Sequence, residues 1–80
     1  MLPLGEKMER PLDALNQAKN KRVIIELKNK RQVLGTLKAF DIHINVVLDD
    51  AEERGEDGKI AAKLGRVFIR GDMILFVSPA

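Results

Sequence analysis

From Lys21 to Ser78 the apolar residues of this chain recur mostly at every second position, and two of the runs that do so carry an internal glycine. Side chains on a strand point to alternate faces, so a period of two describes a ribbon with one buried face. In KRVIIELK, Val23, Ile25 and Leu27 alternate with Arg22, Ile24 and Glu26. A tight turn at Asn29 and Lys30 leads into RQVLGTLKAF, where Val33, Gly35, Leu37 and Ala39 share a face. NVVLDDAEE reads as a third strand and RGEDG, Arg54 to Gly58, as a charged turn. KIAAKLGRVFIR is a fourth strand with Gly65 inside it, and MILFVS a fifth, separated from it by Gly71 and Asp72. A glycine inside a strand weakens it and marks a sharp bend or a close backbone approach. The expected fold is therefore mostly β: a five-stranded antiparallel meander, strongly bent at its mid-strand glycines into a small barrel.

Ahead of the strands, RPLDALNQAKN has helical spacing. Pro11 suits a first turn, where its missing N–H is not needed, and Leu12, Leu15 and Ala18 fall on one face, which predicts a short helix from Pro11 to Lys19. Residues 1–9 read as a loose tail and 10–80 as one domain. Eighty residues leave a small core relative to surface. With no cysteine there are no disulfides to add stability, which points to a reducing, cytoplasmic setting and leaves oligomerisation as the common remedy. The stretch VFIRGDMILFV offers apolar, β-branched edges that recruit another chain, and head-to-tail pairing of such edges closes into a ring when the rotation allows.

Several function classes are disfavoured. The longest apolar run, MILFV, is five residues, against the roughly 20 that cross a bilayer. Glu6 and Glu9 interrupt the stretch where an export signal needs apolar residues, so no membrane partner is expected. One His and no Cys deprive a structural metal of its usual ligands, and Asp49, Asp50, Glu52 and Glu53 lack the spacing of a calcium loop, so no metal or cofactor is expected. His43 with Asp41 imitates part of a catalytic triad, but the single serine, Ser78, lies at the C-terminal end without an oxyanion motif; the chain does not read as an enzyme. Fourteen basic against twelve acidic residues give a net charge of +2, so a polyanion site has to be made locally.

The local candidate is DIHIN, residues 41 to 45, which holds the only histidine, together with IRGD about twenty-five residues later. By periodicity alone DIHIN is the wet face of a strand, with Ile42 and Ile44 packing into the core. Taken together, LGTLKAFDIHINVVLDDAEE and LGRVFIRGDMILFVSP resemble the first and second signatures of the Sm and Sm-like (LSm) RNA-binding proteins, in particular the archaeal Sm-like proteins. The resemblance runs from about Glu9 to Ala80. It implies an N-terminal helix on a bent five-stranded SH3-like barrel (the Sm fold), with strand four of one subunit paired to strand five of the next. It also implies a homo-oligomeric ring, usually a heptamer among archaeal members, that binds uridine-rich single-stranded RNA at the inner rim of its pore, as a scaffold or chaperone alongside other RNA-processing proteins. DIHIN then falls in the connection between strands two and three. Phe40 departs from the Tyr many archaeal members carry there, and Asn29 with Lys30 replaces a glycine-containing turn.

These residue types suit a uracil. His43 offers a flat ring for one face of the base and Arg70 a planar guanidinium for the other, with a charge that favours phosphate. Asn45 presents an acceptor beside a donor, which matches the N3–H and O4 of uracil, whereas cytosine reverses both groups. Discrimination then needs a carboxylate to hold the amide; Asp72 is expected to do this, Asp41 to steady the loop, and Gly71 to let backbone approach the base. The competing reading is a small-barrel protein-interaction module, for which an aromatic groove is expected, and the chain has no Tyr and no Trp.

Overall fold

The computed structural model describes residues 10–80, so the expected tail at 1–9 lies outside the described residues. A helix, α1 (Pro11–Ala18), precedes five strands: β1 (Arg22–Leu27), β2 (Gln32–Phe40), β3 (Val46–Arg54), β4 (Ile60–Ile69) and β5 (Ile74–Pro79). Pro11 opens the helix, and the Arg10 N–H ahead of it donates to Asp13 Oδ2 at 3.1 Å. That bond satisfies a donor the helix cannot. Asn20, in the left-handed region at φ 67, stops it, and its N–H donates to the Leu37 carbonyl at 2.7 Å. The helix end is thereby tied to β2, one residue short of the expected Lys19.

Every strand pairs antiparallel, in the order β4-β3-β2-β1-β5. β4 and β5 follow one another in sequence yet lie at opposite edges of the sheet, each with one side unpaired among the described residues. The sheet curls because glycine and bulges interrupt its ladders. A Cβ on Gly35 would stand 2.8 Å from Leu48 Cβ, so β2 crosses β3 where only a glycine fits. Gly65, opposite Ala51 at φ +70, bends β4 beside a cluster of register shifts. The expected bend points are thus the observed ones. A further shift between Leu37 and Ala39 turns Ala39 outward, so it leaves the face shared by Val33, Gly35 and Leu37.

Val23, Ile25, Val33, Leu37, Val46, Leu48 and Ala51 form the buried core, with Leu15 and Ala18 of the helix packed against it. Leu37 is among the fully buried of these, at 0% exposed. Leu37→Ala is expected to cost about 2–5 kcal/mol, through lost transfer energy and the cavity left behind, read as a lower urea midpoint with an unchanged slope.

Three of the four acidic residues of β3 face cations. Asp49 takes a two-pronged contact from Arg66 at 2.6 and 3.1 Å, Glu52 pairs with Arg22 at 3.5 Å, and Glu53 pairs with Arg31. The Arg66 guanidinium, mainly by hydrogen bonding, holds the Asp49 carboxyl below its ordinary value, and Asp49 raises Arg66 in turn. Among the described residues no cluster of His, Cys, Asp and Glu is arranged to hold a metal.

Candidate functional site

β2 and β3 are joined by Asp41 to Asn45, and β4 and β5 by Arg70 with a single 3₁₀ turn, Gly71–Met73. Because every pairing is antiparallel, these connections fall at the same end of the sheet, and its curl lets the two distant sequence motifs meet there; β5 pairs with β1 and not with β4, so the sheet departs from the simple meander expected.

The first connection is a tight hairpin loop. The Asp41 N–H donates to the Asn45 carbonyl at 3.2 Å and the Ile44 N–H to the Asp41 carbonyl at 3.0 Å, closing Ile42, His43 and Ile44 into the loop. DIHIN is therefore a turn, as the family resemblance implies, and not the continued strand that its alternation suggests. Ile44 has φ 62. Three-residue hairpin loops end on a left-handed residue, ordinarily glycine. A β-branched residue there is strained, by about 1–3 kcal/mol.

Asp41 organises the loop with its carboxylate. Oδ1 accepts from the backbone N–H of His43 at 2.8 Å and of Asn45 at 3.1 Å, and Oδ2 accepts from Asn45 Nδ2 at 3.0 Å. The Asn45 side-chain hydrogen bond, followed by the two backbone N–H groups, outweighs desolvation and holds the Asp41 carboxyl below its ordinary value. The other end of the amide is also held, since the Gly71 N–H donates to Asn45 Oδ1 at 2.8 Å. A carboxylate only accepts and a backbone N–H only donates, so a flipped Asn45 would lose both bonds and set like against like. One amide orientation is fixed, with a second lone pair on Oδ1 and a second hydrogen on Nδ2 left for a ligand.

This corrects the expected division of labour. Asp41 both steadies the loop and clamps Asn45, whereas Asp72 pairs with Arg70 at 3.2 Å, both side chains exposed. Gly71 has a more demanding role than leaving room for a base. A Cβ there would stand 1.9 Å from the His43 carbonyl oxygen, so the two connections touch backbone to backbone. Ile42 is corrected as well: it is 74% exposed at the tip of the loop, and only Ile44 packs against the core. A glycine or asparagine at position 44 would have signalled the loop; an isoleucine concealed it.

His43, Asn45, Arg70, Gly71 and Asp72 line one cavity of 470 Å³, contributed by both connections. Asp41 stands behind Asn45. The two connections thus place an imidazole, a guanidinium and an amide held in one orientation around a single opening. A model of the LSM domain matches residues 13–79. The chain belongs to the LSM family. Within it, an snRNP Sm-like protein of Methanococcoides burtonii is 53% identical over 70 residues, 88% of this chain and 96% of the relative. Among solved structures, the Sm protein of Pyrococcus abyssi in complex with a uridine heptamer superposes with a TM-score of 0.84 at 43% identity, over 90% of this chain and all of that one. A heptameric archaeal Sm protein superposes with a TM-score of 0.78 at 36% identity, over 84% of this chain and 96% of its own. The expected Sm fold is thus the observed one.

A second concavity, apolar and of 710 Å³, lies between α1 and β5, and this LSM chain lines it with Leu15, Ala18, Leu75 and Phe76 among others. It reaches Ile44 and Gly71, so it adjoins the polar cavity. Phe68 on β4 and Leu75 and Phe76 on β5 are 66%, 61% and 46% exposed. No helix among the described residues is long and apolar enough to cross a membrane.

Proposed function

We propose that the chain assembles into a homo-oligomeric ring, a heptamer like its solved relatives, which binds uridine-rich single-stranded RNA through one His43–Asn45–Arg70 pocket per subunit. The observation that carries this reading is the Asn45 amide, held in one orientation by an acceptor on one side and a donor on the other. His43 and Arg70 stack on the two faces of the base. Asn45 Oδ1 accepts from uracil N3–H while Nδ2 donates to O4; cytosine, with an acceptor at N3 and a donor at position 4, meets like against like. Asp41 and Gly71 hold the reading amide, and Asp72 steers Arg70.

Two unpaired edges and the exposed apolar residues on β4 and β5 support the ring, with β4 of one subunit completing the sheet of the next at β5. The ring is part of the binding. Stacking is worth about 1–3 kcal/mol per base, which leaves a single pocket weak. A tethered second base meets the next pocket at high effective concentration, so copies multiply a weak site into a useful one. The role is that of a cytoplasmic RNA scaffold or chaperone rather than a catalyst, acting with other RNA-processing proteins. In support, the Asp41 carboxylate is occupied by amides of the loop and the Asn45 side chain, not by the His43 ring.

Fluorescence anisotropy with oligo(U), oligo(C) and oligo(A), on a sample whose ring is verified by native mass spectrometry, tests the reading. Oligo(U) is expected to bind tightest, and Asn45→Ala to bring U and C together. Arg70→Ala is expected to weaken binding to every sequence and to flatten its dependence on salt, because the guanidinium also neutralises phosphate. Equal affinity of a closed ring for the three homopolymers would overturn the pocket.

A further inference from the structure

Ile44 occupies the position of the hairpin loop where glycine is the ordinary residue, at φ 62. A β-branched side chain there opposes the backbone it sits on, so the turn is formed despite Ile44 and not because of it. What isoleucine has and glycine lacks is an apolar side chain. That side chain packs against the core and lines the apolar concavity beside Gly71 and Ile74. Its chain neighbours are the two residues that line the base cavity from this loop, His43 and Asn45.

We infer that Ile44 is a positioning residue for base discrimination: its side chain, anchored in the apolar groove, pins the loop so that the Asn45 amide meets both Asp41 and the Gly71 N–H. This rests on the base-pocket reading above and deepens it. The contact between the two connections is close, 2.8 Å from Gly71 N to Asn45 Oδ1, with the Gly71 backbone against the His43 carbonyl. The bonds within the loop fix its shape but not its position against the second connection, and a loop free to rock as a body would exceed what such a bond tolerates, since hydrogen bonds weaken steeply with distance and angle. An anchor between the stacking and the reading residue prevents that motion at the point where it matters.

Turn chemistry and this inference predict opposite results for one substitution. Ile44→Gly relieves the left-handed strain and removes only the anchor. If the residue served the turn alone, the change would be neutral or stabilising. The inference predicts that the ratio of oligo(C) to oligo(U) dissociation constants falls by about tenfold, a loss on the scale of one hydrogen bond to the base. Ile44→Met, unbranched and of similar volume, is expected to keep the ratio within about twofold of the parent. The second readout is hydrogen exchange at the Gly71 amide, which reports whether Asn45 Oδ1 still accepts from it: protection is expected to drop in Ile44→Gly and to persist in Ile44→Met. That measurement stands whether or not the variant keeps its ring. It also stands if the parent binds no oligo(U), which would remove the base-pocket reading while leaving the anchoring claim to be decided. An unchanged U-to-C ratio together with full Gly71 protection in Ile44→Gly would overturn the inference. So would an equal loss of U and C binding with that amide still protected.

Discussion

Gly71→Ala is expected to abolish oligo(U) binding while leaving the five-stranded sheet in place. The added Cβ would lie 1.9 Å from the His43 carbonyl oxygen and 2.9 Å from the Ile44 carbonyl carbon, both backbone atoms with no rotamer to yield. The 3₁₀ turn must therefore withdraw from the loop, and with it go the Gly71 N–H that orients Asn45 and the cavity that Arg70 and His43 line together. Overpacking of this kind typically costs about 1–3 kcal/mol, and the larger effect falls on binding because both halves of the pocket separate at once. Anisotropy with oligo(U) should show loss of specific binding, and circular dichroism should retain a β spectrum. Binding within about twofold of the parent, a fraction of a kcal/mol, would mean that the two connections do not need to touch.

Removing the Asp41 carboxylate is expected to erase the difference between U and C. Asp41→Asn keeps an acceptor for the backbone N–H groups of His43 and Asn45, but it turns an NH₂ toward the Asn45 NH₂, two donors facing each other. Asn45 can then relieve the clash only by flipping, which sets its NH₂ against the Gly71 N–H. Titration offers the same perturbation without mutation. Because the folded-state pKa of Asp41 is lowered, chiefly by the Asn45 side chain, its contribution to loop stability is fully present above the unfolded value and is lost as pH falls through the folded one. The U-to-C ratio should therefore be flat from neutral pH down to about pH 4, the ordinary carboxylate range, and fall below it. In Asp41→Asn the ratio should be near unity at neutral pH and show no such acid transition. A parent ratio that changed instead on the alkaline side would place the controlling group elsewhere.

Most of the fold is written in the chain locally. Val23, Ile25, Val33 and Leu37 mark their strands by alternation because each strand buries one face, and Gly35 and Gly65 mark the bends because each stands where a side chain is excluded or the backbone is left-handed. Ala39 escaped the pattern because a register shift reverses the facing of a strand, and such a shift is set by its neighbour. At the site, residue types alone suggested the proposed chemistry: a ring and a guanidinium have flat faces to offer a base, and an amide has a donor and an acceptor for its edge. Their partners were not legible. Asp41 and Asp72 are both carboxylates close in sequence to a pocket residue, and only distance separates the one that clamps Asn45 from the one that pairs with Arg70.

The sequence by itself determined the strand count, the bend points and the helix. These follow from periodicity, glycine and side-chain chemistry, which are properties of short stretches. The tertiary structure alone decided that DIHIN closes a three-residue loop with isoleucine in a glycine's place, that Ile42 faces outward, and that Asp41 and the Gly71 N–H together orient the Asn45 amide. Those facts depend on two connections meeting within hydrogen-bond distance at one end of a curled sheet, and a contact between residues 45 and 71 leaves no trace in the local pattern around either.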